Sequence, residues 1–258
     1  MVSFKLVNPL DVRLCSYRDE REDRQSFRAG MSFVRRGFLI GRALQAVRKS
    51  CLALLLTLLF SYPPDAAAQM LRIVALGDSL TAGYGLQAGD AFPVKLERAL
   101  REKGHAVEIV NAGVSGDTAS GGLARLDWSV PDGTHAVILE LGANDALRGI
   151  DPAVTRDALD QILRRLKQRG IPVLLCGMRA PPNMGPDYVA RFDAIFSELA
   201  AAHGALLYPF FLEGVAAQRD LNLQDSIHPT AGGVDVIVRA ILPKVEELIR
   251  LAAGKEKP

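Results

Sequence analysis

The segment LRIVALGDS, residues 71–79, sets the interpretation of the chain around it. Apart from Arg72, its first six residues are apolar and rich in branched side chains, a composition typical of a buried strand. The apolar run stops at Gly77, and Asp78 and Ser79 follow it directly. A glycine followed by two small polar residues indicates a turn at the carboxyl end of a strand.

Further apolar runs of strand length follow, separated by stretches with a helical period. The predicted strands are Leu71–Leu76, Val107–Val110, Ala136–Leu141, Ile171–Cys176 and Ala205–Tyr208. The predicted helices are Pro93–Lys103, Pro152–Arg169, Pro186–His203 and a last one that Thr230 caps and that runs to about Ala252. Continuous apolar strands alternating with helices indicate a parallel sheet covered on both faces. With right-handed crossovers, this predicts an α/β fold: a three-layer α/β/α sandwich whose parallel sheet has about five strands.

Ligands of such a sheet bind beyond the carboxyl ends of its strands, so reactive residues are expected just after each strand. The first strand runs into Ser79, the second into the segment NAGVSGDT at 111–118, and the third into GAND at 142–145. The segment DSIHP at 225–229 stands before the last helix. The polar residues therefore cluster where a site is expected.

Ser79 is a candidate nucleophile, and a serine hydroxyl needs a base within hydrogen-bond reach to attack a carbonyl. Of the histidines after residue 68, only His228 is expected at the carboxyl edge of the sheet. Asp225 stands three residues earlier, close enough for its carboxylate to orient the imidazole. The other three are expected at the surface, at the wrong ends of their elements: His105, His135 and His203.

The negative charge that develops on a substrate oxygen needs preorganised donors. The candidates are the backbone N–H groups of Ser79 and Gly116 and the side-chain amide of Asn144. Each motif alone is common as an ordinary turn or helix cap, but together they predict catalysis. Neighbouring polar residues are expected to brace loops or cap helices instead: Asp78, Ser115, Asp117 and Asp145.

Ser, Gly, Asn and His, one in each motif, resemble the SGNH or GDSL hydrolases, and most closely the bacterial periplasmic thioesterase I, lysophospholipase and arylesterase group. The resemblance extends over residues 70–250. It implies a flavodoxin-like fold, catalysis by Ser79, Asp225 and His228, and an oxyanion hole formed by Ser79, Gly116 and Asn144. It also implies hydrolysis of carboxylic esters and thioesters through a covalent acyl-serine, without a cofactor or metal. The G-x-S-x-G elbow of α/β-hydrolases is absent from the sequence, which excludes that fold.

The expected substrate wall follows Asn144 and the fourth strand. Its small or apolar residues suit an acyl chain or an aryl group: Ala146, Leu147, Ala180, Pro181, Pro182 and Met184. The expected substrates are small esters, thioesters or lysophospholipids. Three alternatives remain at this point: a carbohydrate O-deacetylase of the same fold, an inactive lipid- or ligand-binding module, and a membrane-tethered interaction protein.

Residues 1–68 have the features of a leader that is removed. A basic stretch precedes the apolar run Cys51–Phe60, and Ala66–Ala68 offers the small residues that a signal peptidase needs. Residues 1–30 are polar and are expected to be disordered or an over-extended start, so that 31–68 is the signal peptide and 69–258 the hydrolase domain. Cleavage near Ala68 would leave a periplasmic or secreted protein without a membrane anchor, although an uncleaved anchor remains an alternative. The route of export, Sec or twin-arginine, stays open.

Charge and cysteines exclude other classes of protein. The leader holds 11 Lys or Arg against six Asp or Glu, whereas the rest of the chain holds 20 against 23. The basic excess therefore belongs to the leader and predicts no nucleic-acid partner. Cys176 is the one cysteine after residue 68 and is expected in the core, as is Trp128. We expect a monomer.

Overall fold

A computed structural model describes residues 70–254 of the 258-residue chain. The predicted leader lies outside the described residues. Its cleavage near Ala68, the disordered or over-extended start at 1–30 and the domain boundary at residue 69 therefore remain predictions.

Five strands form one sheet in which every neighbouring pair is parallel. The strands are β1 (Leu71–Gly77), β2 (Val107–Gly113), β3 (Ala136–Glu140), β4 (Val173–Cys176) and β5 (Leu206–Tyr208). Their order across the sheet is β2-β1-β3-β4-β5. The predicted five-stranded parallel sheet is confirmed, and β1 lies inside it with a partner on each side.

Eight α-helices connect and cover the described strands. They are α1 (Ser79–Ala82), α2 (Phe92–Glu102), α3 (Ala119–Ala124), α4 (Leu126–Ser129), α5 (Ala143–Leu147), α6 (Pro152–Gln168), α7 (Pro186–His203) and α8 (Ala231–Ala252). Short 3-10 turns occur at Ala88–Asp90, Pro182–Met184 and Arg219–Leu221. Helices α2 and α8 pack against each other, and α6 packs against both α3 and α7, which gives the two helical layers of the predicted sandwich.

The long helices begin and end where their sequences indicate. Proline stands in the first turn of α2, α6 and α7, where its missing N–H costs no helical hydrogen bond. The Thr230 hydroxyl accepts a hydrogen bond from the N–H of Gly233 and caps α8, as predicted. Each of these helices turns buried apolar residues toward the sheet, and the core contains Phe92, Phe192 and Phe196.

Strand β2 is longer than predicted. Asn111, Ala112 and Gly113 continue the pairing with Ala75, Leu76 and Gly77, although their small or polar side chains suggested a loop. Gly113 permits this extension because a Cβ there would lie 2.3 Å from the backbone nitrogen of Ala82 in α1. The end of β2 therefore lies directly against the helix that begins with Ser79.

Two single residues test the predicted core. Cys176 is fully buried, as expected, but the expectation for Trp128 is wrong because that residue is 71% exposed. In the four-residue helix α4, Leu126 and Ser129 face the interior and Trp128 faces solvent. Between residues 70 and 254, no helix combines the length and apolarity that spanning a membrane requires.

Candidate active site

Ser79 stands just after the carboxyl end of β1, as the first residue of α1. One side-chain oxygen of Asp78 accepts a hydrogen bond from the N–H of Leu80 at 2.9 Å, which caps this short helix. Gly83 ends the helix in the left-handed conformation, and its N–H donates to the Ser79 carbonyl. Asp78 is thus a capping residue, as predicted, and both ends of the turn that carries Ser79 are held.

Asp225 and His228 lie on a loop closed by its own backbone. Asn222 and Pro229 form an antiparallel bridge, and the N–H of Leu223 donates to the His228 carbonyl at 2.7 Å. Between them Ser226 adopts a positive φ of 59°, a conformation that non-glycine residues seldom adopt. This tight turn directs both side chains of the segment to one side.

The loop brings the imidazole to the serine. His228 Nε2 lies 2.9 Å from Ser79 Oγ, and His228 Nδ1 lies 2.7 Å from Asp225 Oδ2. The ring of Tyr84 packs against the imidazole, with 4.5 Å between the ring centroids. A serine hydroxyl, an imidazole and a carboxylate therefore form one hydrogen-bonded chain, an arrangement that can move a proton off the hydroxyl.

Asp225 is arranged to remain ionised. Its Oδ1 accepts hydrogen bonds from the backbone N–H groups of His228 and Ile227. These two bonds, together with the His228 ring on Oδ2, lower the pKa of Asp225 to about 2. The carboxylate is therefore charged wherever the imidazole could act as a base, and it favours the tautomer with the proton on Nδ1.

The other three histidines have different partners. His105 lies 3.1 Å from Glu246, and His203 lies 2.7 Å from Asp160. His135 accepts a hydrogen bond from the N–H of Arg72, at the start of β1. None of these contacts involves the segments that carry Ser79 and His228.

Two of the three predicted oxyanion donors, Ser79 and Asn144, line the same cavity. Gly116 does not line it. It lies in the loop after β2 with a φ of 86°, and Arg148 donates to its carbonyl at 2.8 Å. That bond joins the Gly116 loop to the end of α5, the helix that carries Asn144.

Arg125 is a buried residue of this site that the sequence did not indicate. It donates to the carbonyls of Gly77 and Ala112, at 2.8 Å each, and pairs with Asp117. It thereby joins the ends of β1 and β2 to the Gly116 loop. Asp117 braces a loop, as predicted.

The buried carboxyl group of Glu140 contacts the residues that flank Ser79 and was also not predicted. It ends strand β3, is fully buried, and accepts hydrogen bonds at Oε2 from the Thr81 hydroxyl and the Asp78 N–H. Burial and the negative charge of Asp78 raise the pKa of Glu140 well above its usual value. Burial also raises the pKa of Asp78 to about 6, against the opposing hydrogen bonds from Leu80 and Asn144.

A cavity of about 510 Å³ opens beside Ser79 and His228, a size typical of small-molecule sites. Five of the six predicted substrate-binding residues line it: Ala146, Leu147, Ala180, Pro181 and Pro182. Met184 does not, because the turn Pro182–Met184 carries its methyl group toward Gly149 instead. Further lining residues are Met178 and Arg179 after β4, Ile227 in the loop of His228, and four residues after β5: Phe210, Leu212, Ala216 and Ala217.

Comparison with known proteins identifies the family to which this chain belongs. Residues 75–236 match the model of the GDSL-like lipase/acylhydrolase family. The chain belongs to the GDSL-like family. The match includes both the Ser79 turn and the loop that carries Asp225 and His228.

Three relatives of this GDSL-like chain show how far the similarity extends. Esterase TesA of Pseudomonas aeruginosa is 37% identical over 77% of this chain and 96% of its own. Thioesterase 1/protease 1/lysophospholipase L1 of Escherichia coli K12 is 38% identical over 71% of this chain and 86% of its own. The crystal structure of AlinE4, an esterase of the SGNH-hydrolase family, is 49% identical, covers 69% of this chain and 96% of its own, and has a TM-score of 0.59.

The described part of this GDSL-like chain offers no obvious metal centre. Across residues 70–254, no cluster of three or more His, Cys, Asp or Glu side chains is placed to hold a metal ion.

Asp225→Asn tests the hydrogen-bonded chain. If the side-chain oxygen of the new asparagine still accepts from the two backbone N–H groups, the NH₂ group of the asparagine faces His228 Nδ1. The ring proton must then sit on Nε2, and a protonated Nε2 cannot accept the proton of Ser79. We expect kcat for an ester substrate to fall about 10⁴-fold, the size of the same change in serine proteases. Steady-state kinetics at neutral pH measure it.

The exposed Asp220 of the neighbouring turn supplies the matched control, since Asp220→Asn changes the same charge outside the chain of hydrogen bonds. A fall of less than tenfold in Asp225→Asn would remove Asp225 from the proposed proton path.

Proposed function

We propose that this protein is a serine hydrolase that cleaves carboxylic esters and thioesters through a covalent acyl-serine at Ser79. The observation that carries the proposal is the 2.9 Å contact between Ser79 Oγ and His228 Nε2 at the edge of the cavity. Family membership supports it, as do relatives named as an esterase and a thioesterase.

In the first half-reaction, Ser79 Oγ attacks the carbonyl carbon while its proton passes to His228 Nε2. Asp225 stabilises the imidazolium that forms. The tetrahedral oxyanion accepts hydrogen bonds from the Ser79 N–H, the Gly116 N–H and the Asn144 amide. His228 then returns the proton to the leaving alcohol or thiol, and the acyl group stays on Ser79.

In the second half-reaction, a water molecule gives a proton to His228 and attacks the acyl-serine. Collapse of the second tetrahedral intermediate releases the carboxylic acid, and the proton on His228 returns to Ser79 Oγ. No cofactor takes part, and each proton that His228 accepts is given back in the same half-reaction.

The cavity supports an acyl chain or aryl group as the part of the substrate that is recognised. Its lining is mainly apolar and includes Leu147, Pro181 and Phe210. Burial of each methylene contributes about 0.8 kcal/mol, so chains that fill the cavity gain more than an acetyl group can. Lysophospholipids and aryl esters belong to this substrate class.

The leader supports a proposed site of action outside the cytoplasm, in the periplasm or secreted. After cleavage near Ala68 no anchor would remain, and the proposed mature protein is a monomer.

Ser79→Ala should abolish turnover of p-nitrophenyl acyl esters, with a loss of at least about 10⁴-fold, because it removes the hydroxyl that hydrogen-bonds to His228 Nε2. The circular dichroism spectrum should not change. A fluorophosphonate probe should label the wild type and not the variant.

Ser197→Ala, on the exposed face of α7, serves as the control and should keep both activity and labelling. Turnover retained in Ser79→Ala would refute the assignment, and an unlabelled, inactive wild type would favour a ligand-binding module.

The acyl-length profile of p-nitrophenyl esters tests the substrate class. We expect kcat/KM to rise from acetyl toward hexanoyl or octanoyl esters, by up to about fourfold for each buried methylene. A matched series of thioesters compares the leaving groups. Preference for acetyl over octanoyl would instead indicate an O-deacetylase.

The N-terminus of the exported protein tests the leader. We expect Gln69 as the first residue of the mature chain, because Ala66–Ala68 meets the small-residue requirement of signal peptidase. N-terminal sequencing of protein from the periplasm or medium reads it directly. A membrane-bound chain that keeps residues 31–68 would indicate an uncleaved anchor.

A further inference from the structure

The ring of Tyr84 packs against the His228 imidazole, a contact to which the proposed reaction assigns no role. The ring centroids are 4.5 Å apart and the ring planes are inclined by 38°, a geometry in which aromatic rings attract each other. Tyr84 is nevertheless 53% exposed, so it adds little to the packing of the core. Among residues 70–254 its hydroxyl group has no hydrogen-bond partner, and the ring alone makes the contact.

The backbone fixes Tyr84 relative to both the nucleophile and the base. The Tyr84 N–H donates to the Ser79 carbonyl at 3.1 Å. The next residue, Gly85, has a φ of 73°, and a Cβ there would lie 2.6 Å from Leu223 Cδ1. Leu223 in turn donates its N–H to the His228 carbonyl. The turn that carries Tyr84 therefore lies directly between the Ser79 turn and the His228 loop.

The imidazole loses one of its contacts when the acyl-serine forms. In the free enzyme, His228 Nε2 is bonded to Ser79 Oγ and Nδ1 is bonded to Asp225. Acylation turns Ser79 Oγ into an ester oxygen that has no proton to donate, so Nε2 loses its bond. Of the three contacts, those with Asp225 and Tyr84 remain. The imidazole must still stand where a water molecule can give a proton to Nε2.

We propose that Tyr84 is a positioning residue that holds the His228 imidazole in place while the acyl-serine is hydrolysed. The hydrogen bond to Asp225 holds the ring at one atom, whereas packing against a ring face resists rotation of the whole imidazole. Tyr84 is not among the residues that line the cavity, so it acts through His228. The proposal rests on the proposed hydrolase function, because it assigns a role within the second half-reaction.

The bonds that change in this half-reaction all depend on the position of His228. The water oxygen forms a bond to the acyl carbon while one water proton passes to Nε2. The bond between the acyl carbon and Ser79 Oγ then breaks, and the same proton returns to Oγ. A displaced imidazole would slow this step, whereas the first half-reaction starts with Ser79 still bound to the ring.

Tyr84→Ala tests the role by removing the ring. We expect the rate constant of deacylation to fall about tenfold and kcat/KM, which follows acylation, to fall less than about threefold. Saturating p-nitrophenyl octanoate gives kcat, and mass spectrometry of acid-quenched samples gives the fraction of enzyme that carries the acyl group. Dividing kcat by this fraction yields the deacylation rate constant.

Two further variants separate the effect of the ring from general damage. Tyr84→Phe keeps the ring and should retain at least about half of the wild-type deacylation rate constant. Trp128→Ala removes another exposed aromatic residue, 71% exposed on α4, and should change neither rate constant. Tyr84→Gln, whose polar side chain suits an exposed turn, gives the same test if Tyr84→Ala does not fold.

The proposal is overturned if Tyr84→Ala slows acylation and deacylation equally, if it slows neither, or if Tyr84→Phe is as slow as Tyr84→Ala. Circular dichroism checks the fold of each variant. The rate at which the fluorophosphonate probe labels Ser79 gives a second measure of the first half-reaction. If the wild type hydrolyses no ester, the proposed function fails. If the wild type is active and Tyr84→Ala deacylates as fast, only the positioning role fails.

Discussion

Parallel pairing of β1 with a strand on each side determines where the candidate groups Ser79, Gly116 and Asn144 stand. Because the three strands end at one edge, the turn with Ser79, the loop with Gly116 and the helix with Asn144 all begin there. Arg125 stabilises this arrangement, since it binds the carbonyls that end β1 and β2 and pairs with the loop beyond them. A loss of register in β1 would therefore separate Ser79 from the proposed donors Gly116 and Asn144.

Two aspartates of the site lie in different environments, which shift their pKa values in opposite directions. Asp225 is partly exposed and accepts two backbone N–H groups, so its pKa falls to about 2. Asp78 is fully buried beside Glu140, and burial raises its pKa to about 6. The first can balance a charge that appears on His228 during reaction. The second caps the Ser79 turn through Leu80 and accepts a hydrogen bond from Asn144.

The sequence predicted the five strands and the long helices, because apolar residues recur with the period of the element that buries them. It also predicted that Ser79 and His228 meet, because reactive residues of a parallel sheet stand beyond the carboxyl ends of its strands. It did not predict that Glu140 is buried. In the sequence this residue is only the polar end of an apolar strand, and its burial depends on the neighbouring strands β1 and β4. It also missed the last three residues of β2, whose pairing depends on the neighbouring strand. The prediction of the substrate wall is wrong at Met184. The 3-10 turn Pro182–Met184 sets the direction of this side chain, and no sequence pattern indicates that turn.

The segment that carries Asp225 and His228 lies outside the sheet and is closed by a bridge between Asn222 and Pro229. Hydrogen bonds within the loop and the contact of His228 with Ser79 hold it in place, and the ladder of the parallel sheet does not include it. Local opening of such a segment can therefore cost less free energy than unfolding the domain. We therefore expect warming to stop turnover at a temperature at which the sandwich is still folded. Thermal tolerance of activity and thermal tolerance of the fold are then two separate quantities.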